Sequence, residues 1–359
     1  MEYTYDVCVF GGCALDLTFY ADKNGNYNKE ADVISPGGKG SNQAVAASRA
    51  GAKTVIISRV GNDSIGKTII DNLIRNKIDT SNVEMVDNLD NDAAYVYINE
   101  KNKDNDIKRV VGAADSFTPE MVNKYEEVLL NSKIVLGQMK IPKDVSIKLI
   151  NFCYSNNIPI VITPCRPKKL CISDESNIDL IDKITYITCN YEEFTQMFNT
   201  DDVEKVISKY PNKLIVTLGP DGLMYNNGTR NVHLPAPQKD VVVDTTGAGD
   251  TFAGNFAALI AKGINFEEAV CKAQYASGIK IMSETAQFGM PYIDELDKYY
   301  NNHKKILWFH SIFIYMFLSF LHMFLNNNSY PIVSHLYSKI QLLFHSILLF
   351  FHVILLMVY

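Results

Sequence analysis

Short apolar runs rich in β-branched residues alternate along this chain with segments of helical period, and that alternation constrains the fold more than any other feature. The runs lie at residues 7–10, 54–60, 134–136, 158–163, 184–188 and 214–218. Between and after them, helices are predicted at 64–76, 119–130, 144–154 and 202–210, the second with Thr118 as its N-cap. Strand and helix in this order build βαβ units and a largely parallel sheet, so the predicted class is α/β.

Two stretches depart from the alternation. Residues 14–35 and 93–112 have tips rich in Asn and Asp, flanked by alternating residues such as Tyr95, Val96, Tyr97 and Ile98. Both are predicted to be strand excursions that together make a small lid sheet. The C-terminus changes character after Lys305. Residues 306–325 and 340–359 are apolar and uncharged, and Lys339 is the only charged residue from 306 onward. Each run has the ~20 residues that span a bilayer. One reading is a membrane hairpin with Lys304 and Lys305 on the cytosolic side. The other is non-coding sequence translated by a faulty gene model, since hydropathy alone does not separate the two. The expected division is a catalytic domain over 1–302 and a hydrophobic tail over 306–359.

With 359 residues the chain is long enough for one large α/β domain or two smaller ones. A net charge of -6, with no cluster of Lys or Arg, argues against nucleic acid as the main partner and leaves a small molecule open. The 7 cysteines are scattered without a C-x-x-C pair, as expected of reduced thiols in the cytoplasm. Residues 1–10 carry Glu2 and Asp6 and lack the basic region and apolar run of a secretory signal.

The sharpest local signal is Asp244, Thr245, Thr246, Gly247, Ala248, Gly249, Asp250, Thr251 and Phe252, after the β-rich run Val241, Val242 and Val243 and at the start of a predicted helix ending near Lys262. Small residues let backbone N–H groups approach an anion, and a helix N-terminus adds partial positive charge. Gly247, Ala248 and Gly249 therefore suit a transferring phosphoryl group. A carboxylate in such a place repels phosphate unless it has a task, and the task available to Asp250 is to accept the proton of an attacking hydroxyl. The plain alternative is a glycine-rich turn with Asp250 as an ordinary helix-start acid. A second element, Pro36, Gly37, Gly38, Lys39, Gly40, Ser41, Asn42 and Gln43, runs into a small-residue helix over 44–50. Its glycines admit a polyhydroxylated ligand, and Lys39, Asn42 and the upstream Asp16 offer hydrogen bonds to hydroxyls.

Together these two elements, in this order and about two hundred residues apart, resemble the signature regions of the ribokinase-like, or phosphofructokinase-B-type, carbohydrate kinases. The resemblance covers residues 5–293. It implies a three-layer α/β/α domain with a β lid that pairs with a second subunit's lid, and transfer of phosphate from ATP to the primary hydroxyl of a sugar, D-ribose first. It also implies that Asp16, Gly38, Lys39, Gly40, Ser41, Asn42 and Lys140 lie on the sugar side with Asp250. The nucleotide is expected at Asn190, at Thr217, Leu218, Gly219, Pro220, Asp221 and Gly222, at Gly249, and at Gln274. Glu193, in the N-x-x-E element Asn190 to Glu193, corresponds to the residue that organises the water shell of Mg²⁺. Asp244 and Thr246, with carbonyls near Lys280, Ser283, Thr285 and Gly289, align with a loop that holds K⁺.

This sequence departs from the family pattern where the substrate is chosen. Lys140 stands where a sugar-contacting glutamate is usual, which exchanges an acceptor for a donor. Ala14 and Ala114 replace commonly polar residues, and Thr285 stands where the cation loop usually has glycine. Another sugar or a nucleoside is the alternative acceptor, and a catalytically idle, membrane-tethered binding protein is the alternative of a different class. One decoy remains: Gly61, Asn62, Asp63, Ser64, Ile65, Gly66, Lys67 and Thr68 fit the P-loop pattern. Asp63 puts a carboxylate where amides should cradle phosphate, so this segment is expected to be a capped helix start.

Overall fold

The computed structural model describes residues 3–22, 24–99, 104–165, 178–237 and 241–302. In chain order the strands are β1 (Tyr5–Phe10), β2 (Ala14–Tyr20), β3 (Val33–Gly37), β4 (Thr54–Gly61), β5 (Val83–Val86), β6 (Asp92–Asn99), β7 (Asp104–Val110), β8 (Ser132–Gln138), β9 (Ile160–Thr163), β10 (Tyr186–Asn190), β11 (Leu214–Thr217), β12 (Leu223–Asn226) and β13 (Asn231–Leu234). The helices are α1 (Lys39–Arg49), α2 (Ser64–Arg75), α3 (Glu120–Lys124), α4 (Glu126–Leu130), α5 (Lys143–Ser155), α6 (Ile178–Lys183), α7 (Tyr191–Phe198), α8 (Val203–Ile207), α9 (Ala248–Ala261) and α10 (Phe266–Lys280). Residues 1–300 form one compact unit.

Among the described residues, nine strands make one sheet in the order β13-β12-β11-β10-β9-β8-β1-β4-β5. From β11 to β5 every pairing is parallel, and β12 and β13 close one edge antiparallel. Side chains alternate across the pleat. Val7 and Val9 of β1 therefore join the core beneath α1, α2, α9 and α10, while Cys8 and Phe10 join the core beneath α3 to α8. Both faces are covered by helices, giving three layers, α/β/α. The strand order departs from β1 in both directions, to β4 on one side and β8 on the other. In open parallel sheets that reversal opens a crevice at the carboxyl ends of the strands, where ligands bind.

Both polar-tipped excursions form the expected second sheet, of order β3-β2-β6-β7. Its middle pairing, β2 with β6, is parallel and joins distant parts of the chain, from Ala14 beside Asp92 to Tyr20 beside Ile98. Phe19 stacks on Tyr97 at 5.0 Å between ring centroids.

Several sequence expectations need correction. Val241, Val242 and Val243 form no strand: they are exposed, and Val243 N donates to Ile281 O at 2.8 Å. The helix expected over 119–130 is two short helices broken at Tyr125, whose φ of -107° leaves the helical region, and Thr118 makes no side-chain cap of the first. The helix expected over 202–210 is confined to α8, with the Asp202 side chain accepting from Lys205 N. The decoy folds as expected: Asp63 caps α2 by accepting from Gly66 N at 2.8 Å, and Lys67 is exposed. An amide needed to cradle phosphate is thus already bonded to a carboxylate. The hydrophobic tail lies outside the described residues, among which no helix is long and apolar enough to cross a membrane.

Candidate active site

Two helix N-termini define the site. α1 is capped by Gly38 (φ 87°) and α9 by Gly247 (φ 80°), both in the left-handed region that glycine enters without strain. The start of α1 is locked onto the turn after β1. Gly40 N donates to Gly12 O at 2.9 Å, and a side chain at Gly38 or Gly40 would meet the backbone of Cys13 and Ala14 or of Gly11 and Gly12. Gly37 lies against the Asp16 carboxylate. At α9 the situation differs. Gly247 is clamped against Ala286 O, but a Cβ on Gly249 would meet nothing within 4 Å. The first turn of α9 is therefore unobstructed at Gly249, and with Ala248 N bonded to Thr245 O the amides of Gly249 and Asp250 are the ones left for an anion.

Asp250 sits in that turn and is buried, 7% exposed. Both of its oxygens are engaged from α1. Asn42 Nδ2 donates to Oδ2 and Gln43 Nε2 to Oδ1, each at 2.9 Å. These bonds to a charged acceptor fix the carboxylate's orientation. A chain of amides extends behind them. Asn42 Oδ1 accepts from Gln287 Nε2 at 2.9 Å, Gln287 Oε1 accepts from Asn72 at 2.9 Å, and Gln43 Oε1 accepts from Gln138 at 2.8 Å. Ser41 Oγ bonds back to the carbonyls of Gly37 and Gly38 and accepts from Gln287.

Asn42 and Ser41, both expected on the sugar, are also bonded within the protein: Asn42 uses one amide hydrogen on Asp250 and accepts from Gln287, and Ser41 bonds to the start of its own helix. Gln43, Gln287, Asn72 and Gln138 were not among the expected site residues. The signal available for Gln43 was its position next to Asn42, where two buried amides interrupt a helix of Ala and Val.

Lys39 reaches toward the site from the first turn of α1. Its ammonium lies 3.9 Å from Glu193 Oε1, with the side chain 41% exposed. The Cys165 sulfur, then Asp250 and Glu193, push its pKa above the ordinary lysine value. Glu193 is held by a capping box: its N–H donates to Asn190 Oδ1 at 2.7 Å while its Oε2 accepts from Asn190 N at 3.1 Å. The N-x-x-E spacing is the spacing of this box. It leaves Oε1 directed toward Lys39 and suited to the water shell of a divalent cation.

Asn190 pairs with Thr217 across β10 and β11, so the expected nucleotide segments share the carboxyl edge of the sheet. Leu218 N donates to Gly222 O at 2.7 Å around the short turn Gly219–Asp221, which contains Pro220. Gly222 (φ 94°) packs against Leu234 O, the carbonyl to which Gln274 Nε2 donates at 3.1 Å. Gln274 Oε1 is buried with no hydrogen-bond partner among the described residues. A buried acceptor left open at Gln274 and an exposed, unobstructed Gly219 both fit a nucleotide.

On the sugar side, Lys140 Nζ lies 3.9 Å from Asp92 Oδ1. Asp92 also accepts from Ala114 N at 2.7 Å, and burial raises its pKa above the usual carboxylate range. Asp92 pairs with Ala14 at the start of β6, two residues along the ladder from the position of Asp16.

The residues expected to hold K⁺ do assemble, but not for that ion. Thr246 N donates to Asp244 Oδ1 at 2.8 Å, Gly289 packs against Ser283 and Lys280 O, and Thr285 is left-handed at φ 58°, where glycine would be unstrained. Lys280, however, turns its side chain into the loop and donates to Asp244 O at 2.8 Å and to Ser283 O at 3.4 Å. Two carbonyls that a bound K⁺ would require face an ammonium instead, so K⁺ does not fit this loop as it is built.

Comparison with known proteins agrees with this architecture. Residues 4–293 match the model of the pfkB family carbohydrate kinases. The chain belongs to that family. It is 34% identical to the ribokinase of Bacillus subtilis, across 82% of this chain and 98% of that protein, and 32% identical to the ribokinase of Lactococcus lactis, across 81% and 95%. The solved structure of Arabidopsis thaliana ribokinase complexed with ribose and ATP superposes with a TM-score of 0.72 at 23% identity, covering 84% of this chain and 99% of that one. This pfkB-family protein is thus a sugar kinase that transfers phosphate to a hydroxyl.

Proposed function

We propose that this kinase phosphorylates the primary hydroxyl of D-ribose, with Asp250 as the base. The observation that carries the reading is the juxtaposition of a buried carboxylate, held at both oxygens by Asn42 and Gln43, with an open amide cradle at Gly249 in the same helical turn. Asp250 accepts the proton as the hydroxyl oxygen bonds to phosphorus and the bond to the leaving nucleoside diphosphate breaks. The amides at the start of α9 hold the charge on the transferring group, assisted by Lys39. ATP with Mg²⁺ supplies that group, and Glu193 would hold the metal through water. Asp16 with Lys140 and Asp92 would give the sugar both acceptors and a donor, and the β2, β3, β6 and β7 sheet would close over it and exclude water. A second copy would pair through the same sheet, whose Ile34 and Tyr20 are exposed, a point for sedimentation analysis.

Similarity to two ribokinases above 30% identity over most of their length favours ribose over the alternatives. The test is an ADP-release assay of the purified protein against ribose, 2-deoxyribose, hexoses and nucleosides. The expected result is a kcat/KM for ribose at least ~10-fold above the others, a margin that one missing hydrogen-bonded hydroxyl readily supplies. Turnover of a nucleoside or hexose without turnover of ribose would remove ribose as the acceptor.

A further inference from the structure

Lys280 is the last residue of α10 and is fully buried. A lysine at a helix C-terminus ordinarily complements the helix dipole from solvent, and a fully buried lysine is rare unless its charge is met. Here the ammonium donates to Asp244 O, 36 residues away in sequence, at 2.8 Å, and to Ser283 O at 3.4 Å. Burial lowers its pKa, while the negative charge of Asp244 opposes that shift.

What Lys280 holds is the root of the anion cradle. Asp244 Oδ1 accepts from Thr246 N, Thr245 O accepts from Ala248 N, and Ala248 O accepts from Ser277 of α10. From the other side, Gly247 is clamped on Ala286, in the segment that follows Ser283. One positive charge thus joins the two backbone segments that fix the first turn of α9, and it does so beside the place where phosphate charge must be stabilised.

We propose that Lys280 is a resident cation of the anion cradle, a positioning residue whose ammonium does the work of a monovalent ion and frees this kinase from dependence on K⁺. A covalently attached ammonium has no binding equilibrium to satisfy, so neither stability nor turnover should track the monovalent cation present.

The test compares the full-length protein with Lys280→Ala and Lys280→Met in potassium chloride and in choline chloride, reading both the thermal midpoint and ADP release. Expected for the wild type is a midpoint and a turnover that differ less than about twofold in rate between the two salts. For Lys280→Ala, turnover in choline should fall at least about tenfold with little change in KM for the sugar, and potassium or ammonium ions should restore part of it and raise the midpoint. Lys280→Met, which fills the space without a charge, should lose turnover and gain no rescue. Activation of the wild type by K⁺ of about tenfold or more, or full turnover of Lys280→Ala in choline, would overturn the proposal. Its activity arm rests on ribose as the acceptor. If ribose is not turned over in any salt, that choice has failed and the midpoint titrations still judge Lys280: a wild-type midpoint that rises with KCl counts against it, a rise confined to Lys280→Ala counts for it.

Discussion

The starts of α1 and α9 carry similar runs of small residues and a glycine cap of similar φ, yet they do opposite things with them. At α1 the glycines are consumed by packing: Gly37, Gly38 and Gly40 each lie against Asp16 or the backbone of the turn after β1, and the helix contributes through side chains, Lys39, Asn42 and Gln43. At α9 the backbone is presented, because Gly249 faces open space, and the one side chain that matters is Asp250. The lesson is that a glycine-rich helix start is not one device. It either lets two backbones meet or leaves room for a ligand, and only the surroundings decide which.

The heaviest blow to this pairing is expected from Asp250→Asn. It removes the proton acceptor and sets an amide against two amide donors, so kcat should fall by ~10² to 10⁴-fold while ATP still binds; near-normal turnover, measured alongside ATP affinity, would take the role of base away from Asp250. Next in size, Gly249→Ala should lower turnover by roughly 10²-fold by displacing the transferring group, with urea stability unchanged or slightly improved, as alanine favours a helix. Gly40→Ala should differ by destabilising the fold. Its Cβ meets backbone that cannot move aside, costing about 1–3 kcal/mol of stability in urea titrations, and equal stability losses at positions 40 and 249 would abolish the distinction drawn between the two helices. Smallest of all, Lys67→Ala should leave turnover within about twofold, since an exposed side chain on α2 has no transition-state contact to lose; a collapse with folding intact would return the phosphate to the decoy. Truncation after Asn302 should likewise leave turnover per folded molecule unchanged, because every residue assigned a role lies between Asp16 and Gly289, and loss of activity in that shorter protein would place part of the machinery in the tail.

The sheet was legible because its strands are short β-branched runs whose burial is written locally, and β1, β4, β8, β9, β10 and β11 all fall on or beside the expected segments. Val241 to Val243 show where that signal fails: β-branched residues favour a strand only when a partner edge is available, and this triplet is exposed with a single backbone bond to Ile281. The candidate base and the cradle were legible for the same local reason. Their support was not. Asn42 and Gln43 meet Asp250 across more than two hundred residues of chain, and nothing near Lys280 in sequence announces that its ammonium will turn toward Asp244. Conversely, the N-x-x-E spacing held more than was read from it, since the capping box that positions Glu193 is a local rule.

The parallel pairing of β2 with β6 bears on how such an enzyme can be taken apart. The small sheet is not one insertion but two, each a hairpin-like loop that is incomplete alone, joined across seven paired positions and by the stacking of Phe19 on Tyr97. Deleting either loop would leave the other with a bare strand edge, an invitation to pair with a stranger. The lid is therefore not a cassette: moving it to another scaffold, or exchanging it between relatives to alter acceptor choice, requires transplanting residues 14–37 and 92–110 as a matched set.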